Sequence, residues 1–571
     1  VNTYTSGTQN GTAVTSLNDG GCLITWTSNG QDASGYFNIY GQRYDKWGNT
    51  VGSEFQINTY TSGHQWSPST ASLANGDVVV TWSSEGGSGG GMGGGNQEEI
   101  LAQIFDSSGS KVGSEIRVNE LMSGRQLYSE VTPLSDGFVV TWQEANGANI
   151  FGRVFDASGN PISSEFQVDS TAGDQSYPSV TNLKDGGFVI AYNSWLSDAD
   201  GWGVVGQRYD ASGNTIGSEF QINSYTSSHQ WNGGAATGID FLANGGFVAT
   251  WMGPAVGGNN DEILAQVFDA SGNKVGSEIW VNTTIDQRQM HPSVRSLSDG
   301  SFIVTWQSYV QDGSEWGTYG QRFDVSGTKL GSEFQVNTNT SSNQSLPVIA
   351  PLAEGGFTIA WQSDSQDGSE EGVYAQRFAS PTPSGTVTTT DHTVSTVTGS
   401  TTGEAPFGSD VSFGVGGKTL TVDLSAHHDG INNDYYEAAA TIASAINNDS
   451  DLQTAGYHAT VATVDQVNAG THAAGDVIIT RAHIPDETVT TDTTSVTTTA
   501  GAALIMTPTK AGAEFQVNTY TSGAQGDPAI TNLSNGGFVV TWTNESNQDG
   551  SGYGVFGQMY DASGNSVGAE F

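Results

Sequence analysis

One phrase, repeated eight times, constrains this chain more than anything else in it. Its clearest copy, GSEFQINTYTSGHQWSPSTASLANGDVVVTW, runs from Gly52 to Trp82. The closing tryptophan recurs as Trp26, Trp82, Trp142, Trp251, Trp306, Trp361 and Trp542, with Tyr192 in its place once. The intervals are 50 to 60 residues, except where a foreign insert fills the gap between Trp361 and Trp542. A unit of that length buries its apolar face only against its neighbours, so the fold follows from the repeat.

Each unit contains four short runs with strand character. The first two form a hairpin, as in PSVTNL-KDGG-FVIAY over 178–192, where Asp-Gly between apolar runs signals a tight reversal. The third run ends in a phrase like YGQRYD (Tyr40 to Asp45), and a DASGN turn leads to the fourth run, GSEFQVN. Gly159, Gly213 and Gly272 supply the positive φ that this turn needs. A longer link, NTYTSGxQ, then crosses to the next unit.

Four antiparallel strands followed by a crossing is the connectivity of a propeller blade. The expected fold is therefore all-β, an eight-bladed β-propeller of four-stranded blades, with a small α/β domain inserted in blade 7. Residues 1–380 would form blades 1 to 7 in part, 381–511 the insert with its Thr-rich flanks, and 512–571 the completion of blade 7 and blade 8. Blades 2 and 5 share HQW and EILAQ, and blades 3 and 6 share an Arg-Gln pair (Arg125–Gln126, Arg288–Gln289), which marks a duplicated three-blade block. The sequence starts in the middle of a repeat and ends on GAEF, so the chain reads as a segment of something longer whose end would run into its beginning.

Composition narrows the function classes. Asp and Glu outnumber Lys and Arg by 59 to 17, for a net charge of −42, so the surface repels nucleic acid and anionic lipid and attracts cations. No apolar run reaches the roughly 18 residues of a membrane-spanning helix, so no direct membrane insertion is expected. The single cysteine, Cys22, stands where other repeats carry Phe or Val, and reads as a small core residue.

In the insert, VSFGVGGKTLTVDL reads as a hairpin, DYYEAAATIASAINND as a helix with Asp434 near its N-cap, and GYHATVATV and DVIITRAH as strands. This pattern resembles the modules inserted in flagellins and hook-associated proteins, which decorate a polymer surface and carry no chemistry. Six of the nine histidines (His392, His427, His428, His458, His472, His483) fall in or beside the insert without zinc-ligand spacing.

A propeller sorts its loops onto two faces. The second-to-third loops and the crossings share one face, and the insert projects from the other. The shared face collects acidic tips such as QDASG, SDADG and QDGSEWG, making Asp32, Asp198, Asp200, Asp312, Asp367 and Asp549 the candidate ligands for Ca²⁺, a hard ion suited to clustered oxygens. None has the D-x-[DN]-x-[DN]-G spacing, and the plainer reading is a turn with a solvated Asp. The same face carries His64, Trp66, Trp202, His229, Trp231 and Trp316, aromatics beside polar amides that suit the stacking of sugar rings. The plainer alternative is that these rings cover the hairpin beneath them.

The glutamine present in all eight crossings (Gln9, Gln65, Gln126, Gln175, Gln230, Gln289, Gln344, Gln525) and the Glu of GSEF (Glu54, Glu165, Glu219, Glu333) recur too regularly to be catalytic, and are expected to anchor the scaffold. A G-x-S-x-G match at Gly86 to Gly90 lacks a strand-to-helix setting. The acidic residues found in only two blades (Glu98, Glu99, Asp261, Glu262) lie three blades apart, too far to act together. No enzyme activity is expected.

Phrases such as SDGSFIVTWQSYVQDGSEWGTYGQRFDVSGTKLGSEFQVN (Ser298 to Asn337) resemble repeats of large secreted or surface proteins of aquatic bacteria, grouped with the calcium-associated repeat-in-toxin exoproteins and adhesins. The resemblance implies an extracellular or bacterial cell-surface location and a calcium-rich setting, although the nonapeptide of calcium β-rolls is absent. The expected function is a non-catalytic extracellular module for adhesion or assembly, binding a glycan or a surface protein. Two alternatives stay open: a self-associating subunit of a filament or surface layer, and a polysaccharide-degrading enzyme.

Overall fold

The computed structural model describes residues 1–571 except 33, 86–97, 122–123, 146–148, 170–172, 196–200, 227–229, 231–237, 255–260, 286, 354, 546–547, 549 and 551; between 380 and 506 it describes only the backbone of the strands named below. Eight four-stranded antiparallel sheets follow one another along the chain, each with its strands in sequential order. The sixth is typical, with strands Gln289–Ser296, Phe302–Tyr309, Trp316–Phe323 and Lys329–Gln335. The seventh takes Gln344–Pro351, Phe357–Asp364 and Glu371–Phe378 before the insert and Phe515–Gln516 after it. This is the eight-bladed propeller that the repeat demanded, and among the described residues it contains no helix.

First strands touch first strands around the ring, including blade 8 against blade 1, so they are the innermost strands. The ring closes within one chain. The Val1 amine donates to Val555 O at 2.8 Å, Val555 N donates to Asn2 Oδ1 at 2.8 Å, and Phe571 stacks on Tyr44 at 4.0 Å. The end-to-end joining suggested by the sequence is thus made internally.

Strand alternation sends successive side chains to opposite neighbours, so the core lies between blades rather than inside them. Between blades 5 and 6, for example, Val248 and Ile263 pack on Val304, Trp306 and Phe323. All seven repeat tryptophans and Tyr192 are fully buried in such layers, and so is Cys22, whose thiol burial pushes far above its usual pKa.

Polar side chains of the repeat bind these layers at their rim. The Asn or Asp ending each fourth-strand phrase accepts the amide of a third-strand residue at 2.8 Å in every blade, from Ile39 N on Asn58 to Val373 N on Asn518. The GSEF-type glutamate of the next blade accepts the following amide, as Glu115 does from Thr59 N (2.7 Å) and Glu333 from Thr283 N (2.6 Å). The eight crossing glutamines are buried as well. In blades 2, 3 and 6 they accept the indole N–H of the repeat tryptophan at 2.9–3.0 Å, and in blades 1, 5, 7 and 8 the amide of the Asn just described. Both sets hold the scaffold.

Blade 3 departs from the pattern for a local reason. Its phrase reads PISSEF, so Pro161 lacks an N–H for the ladder and Ser163 replaces the left-handed glycine of GSEF. The fourth strand shortens to Phe166–Gln167.

In the insert, the expected hairpin pairs Asp410–Val415 with Lys418–Asp423, and the two expected strands Tyr457–Val461 and Val477–Arg481 pair with each other. The Thr-rich flanks meet, Thr388 opposite Thr497. The expected helix from Asp434 lies outside the described residues.

Candidate functional site

The end of the second strand and the start of the third form the last rung of each blade on the face shared with the crossings. Around the ring this rung reads Asn29–Phe37, Glu85–Glu98, Glu144–Asn149, Trp195–Trp202, Pro254–Asp261, Tyr309–Trp316, Asp364–Glu371 and Asn544–Gly554. No two blades carry the same pair at this rung.

Two of the sequence-selected tryptophans stand here. Trp202 meets Trp195 at 5.6 Å, edge to face, and Trp316 meets Tyr309 at 5.1 Å. His64 and Trp66 are placed differently. The His64 ring sits among Tyr36, Phe37 and Trp66 at 5.1–5.9 Å, and its Nδ1 accepts Phe37 N at 3.1 Å, so this histidine packs one blade's hairpin tip onto the next crossing. His229 and Trp231 lie outside the described residues.

Trp316 opens onto a cleft of about 290 Å³ between blades 6 and 7, lined also by His291, Gln307, Asn343, Ser345, Leu346, Gln362, Asp364 and Glu371. The tertiary structure assembles it from three levels. Trp316, Asp364 and Glu371 come from the variable rung, Gln307 and Gln362 follow the repeat tryptophans, and His291 and Leu346 come from the innermost strands. Gln307 accepts the Leu346 amide at 3.2 Å across the blade boundary, which fixes the floor.

The electrostatics of the cleft are one-sided. Its lining includes two carboxyls and no lysine or arginine. Burial, and then the neighbouring Glu545, Asp364 and Glu370 carboxylates, hold the Glu371 carboxyl above the usual range, with a Gln362 hydrogen bond offsetting part of this. Burial also lowers the pKa of His291, which keeps its imidazole neutral near pH 7. An indole face, two side-chain amides, a neutral imidazole and two carboxyls can stack a ring and accept hydrogen bonds from its hydroxyls. They repel an anion.

Three of the six candidate calcium residues are engaged with protein donors. Asp32 accepts the Ser34 amide at 3.1 Å. Asp312 accepts Ser314 N at 3.2 Å and the amides of Gln335 and Asn337 at 3.3 Å, and Asp367 accepts Ser369 N at 3.0 Å and Gln516 Nε2 at 3.1 Å. Among the described residues no group of three or more His, Cys, Asp or Glu is placed to hold a metal ion. Asp198, Asp200 and Asp549 lie outside them. Three of the four acidic residues peculiar to blades 2 and 5 are tied down: Glu98 pairs with Arg125 at 2.9 Å, Asp261 with Arg288 at 3.1 Å, and the Asn282 amide donates to Glu262.

Sequence reasoning found Trp316 but missed Asp364, Glu371, His291 and Leu346. Asp364 and Glu371 flank the acidic tip that carries Asp367, but only Asp367 has the tip position expected of a cation ligand. For His291 and Leu346 no sequence signal existed, because their position depends on a backbone bulge.

No family model matches the chain, and no curated protein matches it. Solved structures similar to it include the propeller domain of the trilobed protease from Pyrococcus furiosus, at 9% identity over 65% of this chain and 93% of that one with a TM-score of 0.38. An α-L-arabinanase from Penicillium chrysogenum complexed with arabinobiose matches at 14% over 56% and 94%, TM-score 0.34. A sialidase from Streptococcus pneumoniae matches at 9% over 53% and 66%, TM-score 0.33. The assignment of the fold rests on the eight sheets themselves and not on these likenesses.

Proposed function

We propose that this propeller is a non-catalytic, extracellular carbohydrate-binding module of a bacterial surface, and that the cleft between blades 6 and 7 takes an uncharged sugar or an amino sugar. The observation that carries the reading is the Trp316 indole set among Gln307, Gln362, Asp364 and Glu371 in one cleft. Aromatic stacking supplies affinity and the surrounding acceptors fix orientation, while the two carboxyls and the charge of −42 disfavour acidic glycans. Titration calorimetry with neutral, amino and uronic oligosaccharides tests it. Binding of the first two that Trp316→Ala reduces at least tenfold is expected; equal binding of uronic chains would sink the charge argument.

A second reading has one observation in its favour. Asp364 and Glu371 stand directly opposite on adjacent strands, and the Glu371 carboxyl holds its proton more tightly than usual, as a general acid must. Release of reducing ends from a bound polysaccharide, abolished by Glu371→Gln, would replace the binding module with a hydrolase.

A further inference from the structure

The innermost strand of every blade described over its first residues contains a bulge, seen as a register shift just after the crossing glutamine, as between Trp66 and Ser69 or Met290 and Ser293. The residue two places after the glutamine is left-handed there in all seven: Gly11 (φ 63°), Ser67 (54°), Tyr128 (54°), Tyr177 (53°), His291 (54°), Leu346 (53°) and Asp527 (52°). Asn232, the counterpart in blade 5, is outside the described residues. Left-handed backbone disfavours every residue with a Cβ, bulky ones most.

Elsewhere the same blades give most such positions to glycine, Val310, Ser342 and Ser365 being the exceptions. The DASGN turns use Gly159, Gly213 and Gly272, and the crossings use Gly7, Gly63, Gly124, Gly173 and Gly523, with Ser342 the exception. At the bulge only one of seven is glycine, and the other six include two tyrosines, a histidine and a leucine. The backbone geometry is the same whichever side chain is present, so the geometry does not call for these side chains. Nor does the core, because none of the seven is buried; Tyr128 is 60% and Tyr177 46% exposed. Two of the seven, His291 and Leu346, line the cleft.

We infer that the bulge residues are the specificity-determining positions of the inner rim, and that Tyr128 and Tyr177, on adjoining blades 3 and 4, form a second carbohydrate subsite engaged by chains too long for the cleft alone. The inference rests on the carbohydrate reading of the cleft and extends it from one sugar residue to a polysaccharide. Exposed tyrosines offer a flat apolar face and a hydroxyl at low entropic cost, and none of the seven described bulge residues is a lysine or arginine, which suits the same uncharged or amino sugars. Residues held in sparsely populated backbone conformations cluster at sites of function.

The test exploits the strain. In Tyr128→Gly/Tyr177→Gly the bulge is relieved, so the melting temperature should hold or rise, which separates loss of function from loss of fold. Affinity for immobilised neutral polysaccharides (glucan, mannan, galactan and chitin, with alginate as the anionic control) should fall at least tenfold. Affinity for a disaccharide of the same type, which fills only the cleft, should stay within twofold. Tyr128→Phe/Tyr177→Phe should bind as the parent does, whereas His291→Gly/Leu346→Gly should weaken polymer and disaccharide alike. Parental polymer affinity in the double glycine variant overturns the inference. Polymer binding that survives Trp316→Ala but not the tyrosine substitutions refutes the cleft and keeps the rim. A parent protein that binds none of the polysaccharides refutes both.

Discussion

Blades 2, 5 and 7 each place a carboxylate at the head of the third strand, and the next crossing decides what that carboxylate can do. Opposite Glu98 and Asp261 the crossing supplies Arg125 and Arg288, and each acid closes into an ion pair between blades. Opposite Glu371 the corresponding residue, directly before Gln525, is Ala524. The carboxyl then faces a cleft beside Trp316, where the Gln362 amide is its donor among the described residues. One rung of one repeat is thus a strut in two places and an open acceptor in a third. The difference lies in a single side chain of the neighbouring blade, so function in this fold is written at blade boundaries.

The comparison can be broken most severely by moving the arginine. Ala524→Arg should bring a guanidinium to Glu371 and abolish sugar binding, and because Ala524 is buried the larger side chain should also cost about 1–3 kcal/mol, as overpacking does; calorimetric titration and a denaturant melt read the two effects. Removing the strut is the reverse experiment. Arg125→Ala strands Glu98, whose side chain is only 8% exposed, and should cost about 2 kcal/mol in urea unfolding. Arg288→Ala should cost about 0.5 kcal/mol, because both members of its pair are substantially exposed.

Proton linkage sharpens the contrast. The Glu371 pKa is raised on folding, so its contribution to stability is fully present below the ordinary carboxyl range and is lost as pH rises through the raised value. Glu371→Gln should therefore be more stable than the parent at pH 7, by an increment that vanishes toward pH 4 in melts across that window. A uniform increment at all pH values would deny the cleft its buried charge. The smallest effect concerns calcium. Asp312 and Asp367 already accept protein hydrogen bonds, so chelator should shift the melting temperature by less than about 2 °C. A large shift would return ions to the acidic tips.

How much was legible follows from where each signal is stored. Tryptophans at a fixed interval, Asp-Gly reversals and the DASGN turn are local chemistry, and they determined four strands per blade, eight blades and the site of the insert. The recurrence of glutamine and glutamate in every blade marked them as scaffold, and the burial of Gln65 and Gln289 and their bonds to Trp82 and Trp306 bear that out. Trp316 was recognisable as an outlier among equivalent positions.

What only the tertiary structure decided is which outliers share a space. Asp364, Glu371, His291 and Leu346 come from two blades and four strands, and they meet because neighbouring sheets stack face to face around an axis. His64 stood out as clearly in the sequence as Trp316, yet it is held by Phe37 in a packing role. The left-handed bulge that presents His291, Leu346, Tyr128 and Tyr177 has no residue signature, since its backbone is imposed by the ladder and not by the side chain that occupies it. Sequence periodicity records what each strand needs for its own burial; a binding site depends on distances between strands of different blades, and those exist only once the ring has closed.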